Sequence, residues 1–209
     1  GKTLYGLWRS HDRGKTWAGK WLDVSDIQPE AYECIGSRNV LEMSDGSILL
    51  GVSSYGTGTF SGDSGDFVCK HWFFRSKDYG KTWCEKIPVR IEYASPNPPN
   101  YAFFNEVDMH RCPSGRVIAI SRFVSSYPKK GKMPKEGCEQ GDNLRIFRLK
   151  EDAMTWVEER ELLDYVQVHP HLLDLPGGRL LCCYTNRNFP FGAQAIVSKD
   201  EGMTWSEDK

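Results

Sequence analysis

Apolar residues alternate with polar ones in short runs along this chain, and the runs come in pairs split by tight-turn residues. Asn39 to Val52 brackets Asp45-Gly46, Glu106 to Phe123 brackets Ser114-Gly115, and His171 to Tyr184 brackets Gly177-Gly178. Turns of this kind between β-rich runs predict hairpins. Further apolar runs, such as His71 to Arg75 and Leu144 to Arg148, predict a third strand after a hairpin. Third strands lead into an eight-residue signature, S-x-D-x-G-x-T-W, found at Ser10 to Trp17, Ser76 to Trp83 and Ser198 to Trp205. An eroded copy spans Leu149 to Trp156, keeps Thr155 and Trp156, and puts Glu151 in the Asp position. With a fourth strand leaving each signature, the repeating unit is a four-stranded antiparallel sheet.

The residue types inside the signature explain one another. A short Asp accepts backbone N–H bonds within a tight turn, and Gly supplies a positive φ. The Trp carries more apolar surface than one small sheet can bury, so neighbouring sheets must pack on it. Repetition of this unit predicts an all-β chain, a β-propeller of four-stranded antiparallel blades. Three nearly complete blades and part of a fourth at the N-terminal end fit into residues 1–209 as a single domain, so the ring is incomplete at about four blades. Trp17, Trp83, Trp156 and Trp205 are expected to be buried between strands near the rim.

The signature resembles the Asp-box, or BNR, repeat of the sialidase-like propellers. That resemblance implies a sialidase-like propeller fold in which the boxes lie on the side away from the active site. A six-bladed ring of that family needs more chain than this. A shorter ring leaves apolar sheet faces open, which predicts self-association.

Composition narrows the function. The chain has 209 residues, 20 Gly, 11 Pro, 12% aromatics and a formal net charge of -1. It is long enough for a sizeable core, and its near-neutral charge offers no electrostatic footprint for nucleic acid or an anionic membrane. No apolar run reaches membrane-spanning length, and no basic-then-apolar signal segment opens the sequence, so a soluble protein is expected with its compartment undetermined. Seven cysteines without C-x-x-C pairs or zinc spacing read as free thiols, mostly buried, as in a reducing compartment, with Cys182 and Cys183 on opposite faces of one strand. Neither a metal nor a cofactor is expected.

A meander of four strands places its first and third turns on one face. The paired-run turns and the boxes therefore share a face, and the starts of first strands and ends of second strands lie opposite. Arg38, Glu106, Arg122, His169 and Arg187 fall on that opposite face. The long stretches Tyr55 to Asp66, Arg90 to Asn100 and Ser125 to Asp142 border it, and loops of that length in compact domains are often functional. Counting from Ser114-Gly115 puts Glu106 beside Arg122; counting from Gly177-Gly178 puts His169 near Asn186 and Arg187. Converging guanidinium forks suit a carboxylate, hence an acidic sugar. A Glu106–Arg122 salt bridge that only ties two strands is the other reading of the same residues.

Two segments extend the resemblance. Asn105-Glu106 with Ser114 to Arg122 is similar to the sialidase stretch carrying the site Glu and an Arg of the carboxylate-binding triad. His169-Pro170-His171 through Gly178 to Arg187 is similar to the blade that supplies another triad Arg. The resemblance implies retaining hydrolysis of a terminal sialic acid, with Glu106 drawing the proton from a nucleophilic Tyr, an Asp protonating the leaving oxygen, and Arg122 and Arg187 binding the substrate. The Tyr and the Asp are not identified. Arg38 lacks the family's Arg-Ile-Pro context and stands as a further ligand contact. His169 or His171 could contact a sugar, and Asp63 and Asp66 could supply an acid or simply cap turns. The expected partner is an acidic glycan or sialoside. A non-catalytic propeller binding glycan or protein on the same face is the alternative, since folds host many functions.

Overall fold

The computed structural model describes residues 4–24, 33–55, 69–94, 104, 106–124, 142–163, 167–187 and 191–206. Among these there are strands and turns but no helix. Thirteen strands follow in chain order: β1 (Leu4–Arg9), β2 (Ala18–Asp23), β3 (Glu33–Glu42), β4 (Ile48–Tyr55), β5 (Cys69–Ser76), β6 (Glu85–Glu92), β7 (Val107–Arg111), β8 (Val117–Val124), β9 (Asp142–Leu149), β10 (Thr155–Leu163), β11 (Gln167–Leu175), β12 (Arg179–Asn186) and β13 (Gly192–Ser198). The three paired runs form the hairpins β3–β4, β7–β8 and β11–β12.

These strands make antiparallel meanders: β1–β2, β3 to β6, β7 to β10, and β11 to β13. They stack in that order, because strands of the central meanders are apolar on both faces and must be covered twice. Phe73 and Phe74 are consecutive and both fully buried, as are Ile118, Ala119 and Ile120. One core lies between β1–β2 and β3 to β6 around Leu22, Val52 and Phe74. A second, between β3 to β6 and β7 to β10, holds Phe73, Phe104, Phe147 and Trp156. The third packs Ile118, Ile120, Leu144 and Ile146 on Leu172, Cys182, Tyr184 and Ile196.

The two central meanders are not separate sheets. Their outer strands β6 and β10 pair in parallel over Thr155↔Arg90 to Val157↔Glu92, giving a single eight-stranded order. At the other margin β3 and β7 are tied by Asn39, whose Nδ2 donates to Met109 O at 2.6 Å and whose Oδ1 accepts the Met109 N–H at 3.0 Å. The eight strands thus nearly close on themselves around the second core, a departure from the isolated four-stranded units that the repeat predicts.

The three full boxes share one bond network. In the first, Asp12 Oδ1 accepts the Thr16 N–H at 2.8 Å and Oδ2 the Thr16 hydroxyl at 2.6 Å, while Ser10 Oγ accepts the Gly14 N–H at 2.7 Å. Trp17 Nε1 closes the turn on Gly14 O at 3.0 Å. Asp78 with Thr82 and Asp200 with Thr204 repeat the pattern. Bonds from the Thr hydroxyl and N–H, with Ser10 or Ser76 adding another, hold the Asp12 and Asp78 carboxyls down at about 2. In the eroded copy Asp152, and not Glu151, takes the Asp role: its carboxylate accepts from Thr155 N at 2.9 Å and Thr155 Oγ1 at 2.7 Å, so this turn is one residue shorter.

Only one of the four box tryptophans is fully buried. Trp156 is 0% exposed, Trp83 and Trp205 are partly buried, and Trp17 is 59% exposed. The expectation of burial fails for Trp17 because, among the described residues, β1–β2 packs on one side only. Trp8 and Trp21, on the opposite side of that hairpin from the core residue Leu22, are exposed as well.

Candidate functional site

Glu106 immediately precedes β7, and the β7–β8 register, with Val107 opposite Ser121, sets it across from Arg122. Arg122 Nη1 donates to Glu106 Oε1 at 2.8 Å, and the Arg122 N–H reaches Glu106 O at 3.4 Å. Both side chains are largely buried, 12% and 10% exposed. The sheet behind this hairpin brings the third member. His169 N–H donates to Glu106 Oε2 at 3.2 Å, and His169 Nε2 lies 3.1 Å from Glu106 Oε1. An ionised carboxylate only accepts, so Nε2 carries the proton in that contact.

The way His169 gets there is a bulge. The β11–β12 register shifts between Val168 and His171, with Pro170 inside the irregularity and His169 at φ 57°. The bulge leaves Gln167 directly opposite Asn186, two residues from His169. Bulges re-aim side chains next to functional sites, and here the extra residue turns His169 toward Glu106. Glu106 itself sits at φ 50°, also in the left-handed region. Two adjacent non-glycine residues in that region cost stability and persist only where surrounding contacts over-determine them.

Arg38 lies in β3 where the pairing with β4 shifts between Gly36 and Val40, and Arg187 directly follows β12. Both act on the same imidazole. Burial is the largest influence on His169 and lowers its pKa; the Glu106 carboxylate opposes this, while the charges of Arg38, Arg122 and Arg187 reinforce it. Arg38, Glu106, Arg122, His169 and Arg187 are therefore brought into one electrostatic neighbourhood. Arg122 touches the Glu106 carboxylate, and the charges of Arg38 and Arg187 help bias His169 toward its neutral form. Such a cluster carries excess positive charge and favours an anion.

Asp63 and Asp66 and most of the long stretches, 56–68, 95–103 and 125–141, lie outside the described residues. Among the described residues no group of three or more His, Cys, Asp or Glu side chains is arranged to hold a metal. Cys112 and Cys182 are buried free thiols, Cys183 is partly exposed and Cys84 is exposed. Burial pushes the Cys112 thiol up to about 11 and raises that of Cys182 further. No helix among the described residues is long and apolar enough to cross a membrane.

One residue of this region escaped the sequence reading. Asp108 is fully buried, accepts the Leu172 N–H on Oδ2 at 2.6 Å, and lies 2.7 Å from His171 Nδ1 through the same oxygen. The signal was present in the spacing: Glu106 and Asp108 alternate in step with His169 and His171.

Comparison with known proteins agrees with the architecture. The family model described as the BNR-Asp box repeat matches residues 7–20 and 73–87. No curated protein matches the chain. Among solved structures, the chain is similar in fold to a xylan beta-1,4-xylosidase from Bacillus halodurans C-125, with a TM-score of 0.53, 12% identity, and 99% of this chain covering 41% of that one. The chain thus spans about two fifths of the length of that structure. An endo-1,4-beta-xylanase from Bacteroides thetaiotaomicron VPI-5482 gives a TM-score of 0.28 at 12% identity, covering 82% of this chain and 71% of the other. The chain thus carries the BNR-Asp box repeat at the two matched places, and the same bond network recurs a third time at Ser198 to Trp205.

Proposed function

We propose that this chain forms part of a sialidase-like β-propeller of four-stranded blades, and that the cluster around His169 binds the carboxylate of a terminal sialic acid or another acidic sugar on a glycan. The observation that carries this reading is the buried contact of Arg122 and His169 with Glu106, joined by the charges of Arg38 and Arg187 that bear on the same imidazole. Arginines grouped about one histidine favour an anion, and a substrate carboxylate would supply one. In the enzymatic form of this reading Glu106 assists a nucleophile and the reaction is a retaining glycoside hydrolysis. Similarity in fold to a xylan beta-1,4-xylosidase is compatible with that form.

A second reading, a non-catalytic module that binds acidic glycan on the same face, is favoured by the engagement of Glu106. Its carboxylate accepts from Arg122 and from both the backbone and the ring of His169, which leaves little capacity to draw a further proton. One experiment addresses both. Calorimetric titration with sialic acid is expected to show saturable binding that Arg122→Ala weakens by about 2–3 kcal/mol, the range for a charge-assisted contact away from water. Turnover of a fluorogenic sialoside, abolished by Glu106→Gln with binding retained, selects the hydrolase; binding without turnover selects the module. Unchanged affinity in Arg122→Ala would leave only a salt bridge tying β7 to β8.

A further inference from the structure

A second acid–histidine pair lies one step along the same two strands. Asp108 and His171 stand two residues beyond Glu106 and His169 in β7 and β11, a displacement of about 7 Å along a strand. Asp108 Oδ2 takes both the Leu172 N–H and the His171 ring. Its Oδ1 is also buried and has no hydrogen-bond partner among the described residues. Tying down the Leu172 N–H would need only a neutral acceptor, so a carboxylate buried with an oxygen unmet is a stability cost. What the carboxylate adds is control of His171. A carboxylate accepts only, so the neutral ring of His171 carries its proton on Nδ1 and keeps the lone pair on Nε2. The His171 side chain is 56% exposed, and with Nδ1 held at the buried end, Nε2 is on the accessible edge of the ring.

In the neighbouring cluster only the Nδ1 of neutral His169 can offer a comparable acceptor, and His171 adds a second. Guanidinium groups donate and never accept, and Glu106 is occupied by Arg122 and His169. A sugar brings hydroxyl donors as well as its carboxylate. Resting on the acidic-sugar reading above, we propose that His171 is a ligand-contacting residue beside the same cluster, its Nε2 accepting a hydrogen bond from a sugar hydroxyl, with the buried Asp108 as the positioning residue that fixes the ring.

The test is nitrogen-15 NMR of the histidine side chains of the whole chain during titration with N-acetylneuraminic acid, with affinities measured in parallel. In the free protein His171 is expected as the Nδ1–H form, and its Nε2 resonance is expected to move saturably with the sugar. His171→Ala should weaken binding about tenfold, the equivalent of one hydrogen bond of ordinary strength. His171→Gln should recover part of that loss, because its amide oxygen can accept near the position of Nε2. A free protein with Nε2 protonated overturns the proposal. So does Arg122-dependent binding in which the His171 resonances stay still and His171→Ala binds as the parent does; the acidic-sugar reading then survives alone. No saturable binding in the parent protein overturns both together.

Discussion

The box turns and the candidate site both hold ordinary residues in the left-handed region, yet by opposite means. Arg13, Tyr79 and Glu201 occupy the same box position at φ 59°, 57° and 57°, and Glu106 and His169 sit at 50° and 57°. Each such residue costs about 1–2 kcal/mol. In the boxes the compensating bonds stay within the octapeptide, joining residues no more than four apart. At the site the compensating bonds join Glu106 to Arg122 and to His169, 63 positions away. A box turn can therefore form on its own, whereas the site exists only once two sheets have packed. Local chemistry sets the scaffold, and long-range packing sets the function.

The largest expected effect separates the box turn from the burial of its tryptophan. Trp156 is fully enclosed beside Phe73, with ring centroids 6.3 Å apart, while Trp17 makes the local bond to Gly14 and is 59% exposed. Trp156→Ala should destabilise by about 3–5 kcal/mol through lost burial and the cavity left behind. Trp17→Ala should cost under about 1 kcal/mol, as exposed substitutions do. Urea unfolding of both variants measures the difference. Similar losses would mean that Trp17 is covered in solution and that the β1–β2 hairpin has a partner there.

The same division explains what was legible in the sequence. The boxes announced themselves because every residue of the network lies inside eight positions, and the hairpins followed from their turns. Glu106 and Arg122 were placed correctly as neighbours because one hairpin register connects them. The Glu106–His169 contact was not legible and Asp108 left only its spacing as a trace, since both depend on how β11 packs against β7 and on a bulge that counting from a turn cannot see. Trp17 was misjudged for a related reason: a repeat position dictates conformation, but burial depends on the neighbouring sheet. The substitution of Asp152 for Glu151 was a one-residue shortening that alignment by Thr155 and Trp156 concealed.

Acid should sharpen the contrast by loosening the site end first. His71, in β5, meets Phe104 edge-on at 6.1 Å and shares a 2.9 Å hydrogen bond with Ser53, whose Oγ also accepts the Phe104 N–H. Burial lowers its pKa from 6.5 to about 4. A histidine lowered in the folded state stabilises above its unfolded pKa, and that contribution is lost as pH falls from about 6.5 toward 4, because only the unfolded chain takes up the proton there. The loss is at most about 3 kcal/mol. The Asp12 and Asp78 carboxyls, at about 2, stay ionised through this window, so the box networks should persist. Amide exchange between pH 7 and pH 4.5 is expected to rise around Phe104 and Glu106 while the Thr16 and Thr82 amides remain protected. Simultaneous loss at both ends would deny that the boxes are locally held, and His71→Gln should reduce the acid sensitivity of the site end to the part that His169, also lowered by burial, contributes.

The smallest effect tests whether a box residue can itself become long-range. Arg13 and Glu201 share a box position and nearly the same φ, so glycine relieves the same backbone cost at either place. Arg13 is exposed, and Arg13→Gly should leave stability unchanged or raise it by up to about 1 kcal/mol. Glu201 differs because its carboxylate reaches across to the β7–β8 turn, accepting the Ser114 N–H at 3.0 Å and the Ser114 hydroxyl. Glu201→Gly trades the relieved backbone for both bonds and should be destabilising by about 1 kcal/mol. Thermal unfolding of the two variants therefore should shift in opposite directions. If both gain stability, the Glu201–Ser114 contact contributes nothing and every box is self-sufficient; if both lose it, the left-handed residue is not a cost the turn carries, and the contrast between the two ends of the meanders narrows to the site alone.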